Sequence, residues 1–544
     1  MVMVEVVLIL AALLLGFYCN VNRHFILSKC LKPLLERQEF IKFNTTQNGY
    51  QQPNANDPRP KDTIWDIPGP AANTSFGFKW LRNLFTRDFK MSKLHEVYTE
   101  LNLQYGDIVR EVKGGGIPVV HLFNKNDLEK VLKYPSKYPF RPPTEIVVTY
   151  RRSRPDRYAS IGIVNEQGPT WHKLRSSLTS SITSPRIIQH FLPALNSICD
   201  DFIDLLRKER DPLTNEVRNF EDIANLMGLE AVCMFILGRR MGFLTTKSKQ
   251  PKKIQTLAVA VKQLFIAQRD SYYSSGWWKL LPGMVYRKFA RSEEIIYDVV
   301  SEMVDKALEE DSNTLMHDDN DTALRSVFLN ILEVKDLDIR DKKSALIDFI
   351  AAGIETLANT LIFILNSVTT ASNAAERIIE EFREYRNTNI TQEALTNASF
   401  TKACLQESYR IRPTAFCLAR ILEEDMQLSG YNIKAGTVVL CQTMTACLKE
   451  SNFQEAHKYR PERWLDPAGN FSVNNQSSST IVVPFGIGKR TCPGKRFVEM
   501  EIVLLVAKLL LAFDISFKKP LEMEFEFLLA PKTPLNLVLR DRTF

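Results

Sequence analysis

The chain has 544 residues, 45% of them hydrophobic, which is enough to bury one large core or two ordinary ones. Seventy basic residues against 63 acidic ones leave a charge of +7, a mild excess that excludes a nucleic-acid binder and suits a membrane surface or an acidic protein partner. Its nine cysteines form no CxxC pair or ladder of short spacings, which excludes a disulfide framework and a zinc site and fits a reducing compartment. Scattered histidines such as His172 and His190 read as surface or core residues, not as metal ligands.

In chain order, Val6 to Tyr18 is an apolar run preceded by Glu5 and followed by Arg23, His24, Lys29, Lys32 and Arg37. It falls short of the about 20 residues of a full span, and its basic flank lies on the wrong side for a cleaved secretory signal. Residues 1–43 are therefore expected to be an anchor or targeting segment. The polar stretch NTTQNGYQQPNANDPRPKDT cannot bury enough surface to order itself, so residues 44–64 read as a tether. Ile67-Pro68-Gly69-Pro70 is a stiff turn near the start of the folded domain, expected over 65–544.

Beyond it, helical periodicity predicts helices over Phe191–Arg207, Phe220–Leu237, Ile254–Gln268, Ser292–Leu308, Lys343–Asn366 and Arg496–Phe513. Strand-like runs are Ile108–Val112, Val119–Leu122, Tyr431–Ile433 and Val438–Gln442, with a terminal hairpin expected in Glu524–Leu539. The fold class is mainly α with a minor β-sheet.

The densest chemical signal is Pro484-Phe485-Gly486-Ile487-Gly488-Lys489-Arg490-Thr491-Cys492-Pro493-Gly494, directly before an apolar helix. A cysteine ahead of a helix with Pro493 in its first turn faces the positive end of the helix dipole, which favours a thiolate. Gly486 and Gly488 permit a tight turn that brings amide N–H groups towards the sulfur. Earlier, Ala351-Ala352-Gly353-Ile354-Glu355-Thr356 lies inside a predicted helix, with Ala352 and Gly353 on the face of Thr356. Their small size leaves room for a flat group and dioxygen, Thr356 supplies a hydroxyl as a proton donor, and Glu355 offers a route from solvent. Glu407 and Arg410 share a helical face at i, i+3, and Trp171 and Arg175 share one at i, i+4.

Together and in this order, these motifs resemble the cytochrome P-450 superfamily over the chain from about Trp65 to its end. The resemblance implies the fold of that family and a haem b whose iron is held by the thiolate of Cys492, a ligand that favours O–O cleavage. It implies that Phe485 shields the sulfur while Arg490, Trp171, Arg175 and Arg420 reach the propionates, and that Glu355 and Thr356 serve oxygen activation, with Glu where many members have Asp. Glu407, Arg410 and Arg463 are expected to lock together and hold the segment before the cysteine loop. The segments Tyr138–Pro142 and Asn165–Arg175, with Lys495 and Arg496, are similar to the animal mitochondrial group. Longer stretches around Asn165–Arg186 and Asn225–Phe243 resemble arthropod members that hydroxylate ecdysteroids, so the expected reaction is insertion of one atom of O2 into a steroid, ecdysone to 20-hydroxyecdysone.

That group implies an adrenodoxin-like ferredoxin docking on Lys402, Lys495 and Arg496, although Gln406 stands where a second helix Lys is usual. The N-terminal run also fits a microsomal anchor, so an NADPH-dependent diflavin reductase and the endoplasmic reticulum stay open beside the mitochondrial inner membrane. By family position the substrate pocket should draw on apolar residues of Tyr150–Ile163, Gly276-Trp277-Trp278, Phe349, Ala352 and Leu528-Leu529-Ala530. Hydroxylation of another lipid or a xenobiotic is the alternative within the class, and a non-catalytic haem or lipid carrier the alternative outside it. The carrier has no use for Thr356 or a basic docking face.

Overall fold

A computed structural model describes residues 63–70, 91–112, 117–272, 277–279, 283–313 and 319–543, which belong to one compact unit, Lys61–Phe544. The expected anchor over 1–43, the tether to residue 62, and Gly276 lie outside the described residues. The helices that build the site are α1 (Leu94–Tyr105), α2 (Glu145–Arg152), α3 (Gly168–Thr179), α4 (Leu192–Glu209) and α5 (Phe220–Leu237). They are followed by α6 (Lys252–Tyr272), α7 (Met284–Asn313), α8 (Ile339–Thr370), α9 (Ser399–Ile411) and α10 (Lys495–Ala512).

The expected helices are all present, and several run beyond the apolar periodicity. The terminal turns of a helix need capping more than burial. Helix α8, for example, begins four residues before Lys343, where the Asp338 side chain accepts a 2.9 Å hydrogen bond from the Arg340 N–H. Helix α8 is apolar over most of its length and largely buried, packing against α5, α7, α9 and α10. It is long and apolar enough to cross a membrane, but most of it is buried inside the protein as a core helix.

Helix α5 crosses α8 at a glycine on each. A Cβ on Gly228 would lie 2.7 Å from the Ile354 carbonyl oxygen, and one on Gly353 would lie 2.7 Å from Val232 Cγ2. Gly353 thus serves close helix packing, and it is Ala352, not Gly353, that leaves space beside Thr356.

The strands are short. In chain order they are β1 (Ile108–Val112), β2 (Pro118–Leu122), β3 (Glu216–Val217), β4 (Leu418–Ile421), β5 (Met426–Leu428) and β6 (Tyr431–Ile433). Then come β7 (Val438–Cys441), β8 (Phe513–Phe517), β9 (Met523–Phe525), β10 (Leu529–Pro531) and β11 (Leu537–Asp541). The largest sheet has the order β1-β2-β7-β4, with β2 and β7 parallel and the other pairs antiparallel. The expected terminal hairpin is only half right. β9 and β10 do pair, but β11 leaves them to pair with β8 and β3. Pro531 and Pro534 supply no N–H to a ladder, so the run cannot continue as one hairpin and the chain turns to another sheet.

One buried carboxylate ties α9 to the segment leading to the cysteine loop. Glu407 accepts from Arg410 Nε and Nη2 at 2.9 and 2.8 Å, from Arg463 Nε at 3.0 Å, from Trp464 Nε1 at 2.9 Å and from the Arg460 N–H at 2.9 Å. Arg410 in turn donates to the carbonyls of Cys447, Ala456 and Lys458. Glu407 and Arg410 are both fully buried. The expected lock of Glu407, Arg410 and Arg463 is therefore present, with Trp464 as a partner that sequence reading did not name. Removing one member of such a set strands a buried charge, so Glu407→Ala should cost about 3–5 kcal/mol. Thermal unfolding with haem content as a second readout tests this, and an unchanged melting temperature would count against it.

Candidate haem and oxygen-activation site

The cysteine loop is shaped by its backbone. Cys492 N–H donates to the Phe485 carbonyl at 2.8 Å and Thr491 N–H to the Gly488 carbonyl at 3.0 Å. Gly486 and Gly488 have φ of 73° and 70°, the left-handed region that glycine adopts without strain. Gly494 lies against the sulfur: a Cβ there would be 3.9 Å from Cys492 Sγ. Helix α10 begins at Lys495, so Pro493 precedes the helix and is not part of its first turn. The sulfur keeps its place at the helix N-terminus all the same. It borders open space on one side and is crowded by protein on the others. That burial pushes the thiol up, while the N–H groups of Gly494 and Lys495 and the charge of Arg175 pull it down. Phe485 meets Tyr409 of α9 edge-on at 5.8 Å, which joins the loop to the helix carrying Glu407.

Next to the loop is a concentration of guanidinium groups. Arg175 of α3 donates to the Thr491 carbonyl at 2.5 Å. Arg490 donates to the carbonyls of Pro139 and Glu166 and to Gln167 Oε1, all within 3.0 Å. Arg141 donates to the Val164 carbonyl and Arg420 to the carbonyl of Ala419. Burial, followed by repulsion from Arg420 and Arg175, pulls Arg141 down to about 10. Burial and then Arg141, Arg420 and Arg175 pull Arg490 down to about 9. Among the described residues none of the four has a carboxylate partner. Four neighbouring cations with neutral acceptors suit a dianionic ligand, and the two propionates of a haem fit that requirement.

The structure brings Arg175, Arg420 and Arg490 together as the sequence suggested, and adds Arg141, which had been read only as part of a group-marker segment. Trp171 packs against one of these arginines. Its buried ring lies 3.8 Å beneath the Arg490 guanidinium, so it supports that arginine by a cation–π contact.

On α8, Asp348, Ala352, Thr356 and Thr360 follow one another at i, i+4 along one face. Ala352 is exposed although Ile350 and Ile354 are buried, which marks an internal hollow beside the helix. The Thr356 hydroxyl donates to the Ala352 carbonyl at 2.6 Å, and the Thr360 and Thr414 hydroxyls are 2.8 Å apart. Leu529 and Ala530 are buried in the sheet edge packed on α8, whereas Trp278 joins Tyr150, Tyr158 and Phe289 in a separate apolar cluster. The stretch expected to offer apolar pocket residues is in fact rich in arginine, with Arg151, Arg152, Arg154 and Arg157 in it.

Glu355 does not open to solvent as its position beside Thr356 suggested. It is buried, and that burial together with the charge of Glu526 pushes its carboxyl up to about 8, with Lys262 opposing. Lys262 Nζ lies 3.5 Å from Glu526 Oε1 and donates to Thr533 Oγ1 at 3.2 Å.

The three residues expected to dock a redox partner converge on Glu499 of α10. Lys495 Nζ is 3.7 Å from its carboxylate, and burial pushes that carboxyl up while Lys495, Arg496 and Lys402 pull it down. Lys402 is half-buried and donates to the Thr396 carbonyl at 2.5 Å, and Arg496 donates to that of Thr183 at 2.7 Å.

The cysteine ahead of α10, the guanidinium cluster beside it and the Glu355-Thr356 pair of α8 fit a haem-thiolate oxygenase. Residues 75–538 match the family description "Cytochrome P450", and the chain belongs to that family: it is a monooxygenase whose cofactor is haem b held by a cysteine thiolate. Among its relatives is the "Ecdysone 20-monooxygenase" of Drosophila melanogaster, 65% identical over 544 residues and covering 100% of both chains. From the same fly, "Probable cytochrome P450 12e1, mitochondrial" is 28% identical over 88% of this chain and 92% of its own. "Cytochrome P450 302a1, mitochondrial" is 26% identical over 88% and 95%.

A carboxyl whose pKa is raised to about 8 stays neutral through the neutral range and ionises above it. Infrared difference spectra of the parent against Glu355→Gln should therefore contain a protonated-carboxyl band that fades as pH rises through about 8. Glu501, pushed to a similar value by burial, is common to both proteins and cancels. A band already absent at pH about 6 would contradict the assignment.

Proposed function

We propose that this enzyme hydroxylates ecdysone at carbon 20, and that the Cys492 thiolate would hold the iron of its haem. The observation that carries the substrate is full-length similarity, 65% identity without truncation at either end, to a relative named for that reaction. The bound haem supplies the chemistry of dioxygen activation and oxygen insertion into a C–H bond. Arg141, Arg175, Arg420 and Arg490 would hold its propionates, with Trp171 beneath Arg490. Gly494 and Lys495 aim their N–H groups at the sulfur and moderate its electron donation.

Thr356 holds a proton at the hollow. Its hydroxyl rests on the Ala352 carbonyl and needs only a rotation about χ1 to donate into the space beside that exposed residue. Glu355 next to it is a neutral acid at physiological pH and can restore the proton. Thr356→Ala should keep the haem spectrum but lower product formed per electron consumed, with the balance leaving as hydrogen peroxide. Equal product yield per electron in variant and parent would remove Thr356 from proton delivery.

For electron supply we favour a ferredoxin on the mitochondrial inner membrane, matrix side. The support is the cluster of Lys402, Lys495 and Arg496, whose three positive charges outnumber the two carboxylates that act on them, Glu499 and Glu381. Because Lys402 is half-buried, Lys495 and Arg496 should carry most of the encounter. The purified enzyme should convert ecdysone to 20-hydroxyecdysone with ferredoxin and its reductase, faster than with diflavin reductase. Charge reversal at Arg496 should raise the ferredoxin concentration needed, and added salt should do the same. No spectral shift and no product with ecdysone would end the substrate assignment, and faster turnover with the diflavin reductase would end the ferredoxin one.

A further inference from the structure

A cavity of about 340 Å³ lies between three segments that distant parts of the chain supply. They are the end of the helix Lys125–Leu132 with the loop after it, the stretch from Arg420 in β4 to Met426 in β5, and residues 487–489 of the cysteine loop. Hydrogen bonds fix the spacing of these walls. Lys489 Nζ donates to the Lys137 carbonyl at 3.2 Å, Arg490 Nε to that of Pro139 at 2.9 Å, and the Ile421 N–H to that of Phe140 at 3.0 Å. Among the described residues, none of α8 lines this cavity, so it is separate from the oxygen-activation stretch.

Its lining is divided by polarity. Val131, Leu132, Leu422 and Met426 are buried and make an apolar floor, with half-buried Ile487 of the cysteine loop beside them. Lys133, Glu423 and Lys489 are exposed and stand at the mouth. Arg420 is in the wall, but its guanidinium belongs to the cluster that would take the propionates, which leaves the mouth two ammonium groups against one carboxylate. Lys133 also lies 3.4 Å from Glu129, a surface pair of little strength. Lys489 holds a carbonyl and has no carboxylate partner among the described residues. Ser136, also in the lining, accepts from the Tyr138 N–H at 3.0 Å and keeps its own O–H to donate.

We propose that this cavity binds an amphipathic monocarboxylate of the medium-chain fatty-acid class, with the chain on the apolar floor and the carboxylate at Lys489 and Ser136. A mouth with a surplus of one positive charge over an apolar floor matches a monoanion with an apolar tail better than a phosphate dianion or a neutral lipid. The volume is at the lower end of the about 300–1,000 Å³ of small-molecule sites, which sets a medium chain length. Residues 487–489 form one wall, so the bound chain braces the cysteine loop and stabilises the haem-loaded enzyme. The proposal is independent of ecdysone being the substrate.

The probe is decanoate, titrated by calorimetry into the full-length haem-loaded enzyme, with decanol and decyltrimethylammonium as neutral and cationic probes of the same chain length. Lys489→Gln removes the charge at the mouth, and Met426→Trp fills the floor. Decanoate should bind the parent with a Kd below about 1 mM, and each variant should weaken it about tenfold while keeping its haem. The neutral and cationic probes should bind the parent at least about tenfold more weakly than decanoate. Saturating decanoate should raise the melting temperature of the parent and leave that of Met426→Trp unchanged. If Met426→Trp takes up no haem, Lys489→Gln and the two other probes decide. Parent-like affinity for decanoate in either haem-loaded variant, equal affinity of the parent for decanol, or no binding at about 1 mM would each overturn the proposal.

Discussion

A carboxylate removed from water must find enough donors or give up its charge, and Glu407 finds five hydrogen bonds from Arg410, Arg460, Arg463 and Trp464. Because those donors come from α9 and from the loop ending at Trp464, satisfying one charge also folds an irregular stretch that has almost no regular structure to hold it. Tyr409, two residues on in α9, then meets Phe485 at the start of the cysteine loop. The thiolate position is reached through this chain of contacts. The loop itself contributes a few backbone hydrogen bonds and two glycines in the left-handed region.

The haem site has the opposite electrostatic character. Glu407 is a buried anion with its cations assembled around it, whereas Arg141, Arg175, Arg420 and Arg490 are cations gathered without an anion. Burial first and mutual repulsion second pull Arg141 and Arg490 down, and a dicarboxylate group such as the two propionates of a haem would suit these cations. Glu355 answers to a different environment: burial and the charge of Glu526 push its carboxyl up to about 8, with Lys262 opposing.

Helix α8 carries these requirements on separate faces. Gly353 gives its missing Cβ to the crossing with α5, Ala352 is exposed beside it, Thr356 rests its hydroxyl on the Ala352 carbonyl, and Asp348 accepts from Arg151 of α2. A helix can do this because successive residues are turned by about 100°, so adjacent positions meet different neighbours. Its buried length, with α5, α7, α9 and α10 against it, makes those positions reproducible.

Much of this was legible in the residues. Periodicity located α5 to the residue, β1 and β6 likewise, and the motif order marked Cys492, Glu355-Thr356 and the Glu407 lock, because local spacing and helix geometry are written along the chain. What lay beyond reading was set by contacts between distant segments. Arg141 joins Arg490 across some 350 residues of sequence, β11 leaves its neighbours for β8 and β3, and Trp171 ends beneath an arginine. Whether a polar residue faces water or the interior is equally a tertiary matter. Glu355 beside a hollow and Arg151 in a basic run both look solvent-facing in sequence, and both are buried because other helices close over them. The sequence by itself marked the candidate cofactor ligand and determined the helices and the chemical class, since these depend on residue type and spacing. Only the tertiary structure decided which charges are paired, which carboxyl is pushed towards its neutral form and which arginine is buried between two carboxylates, because desolvation and partner distance exist only once remote segments are packed together.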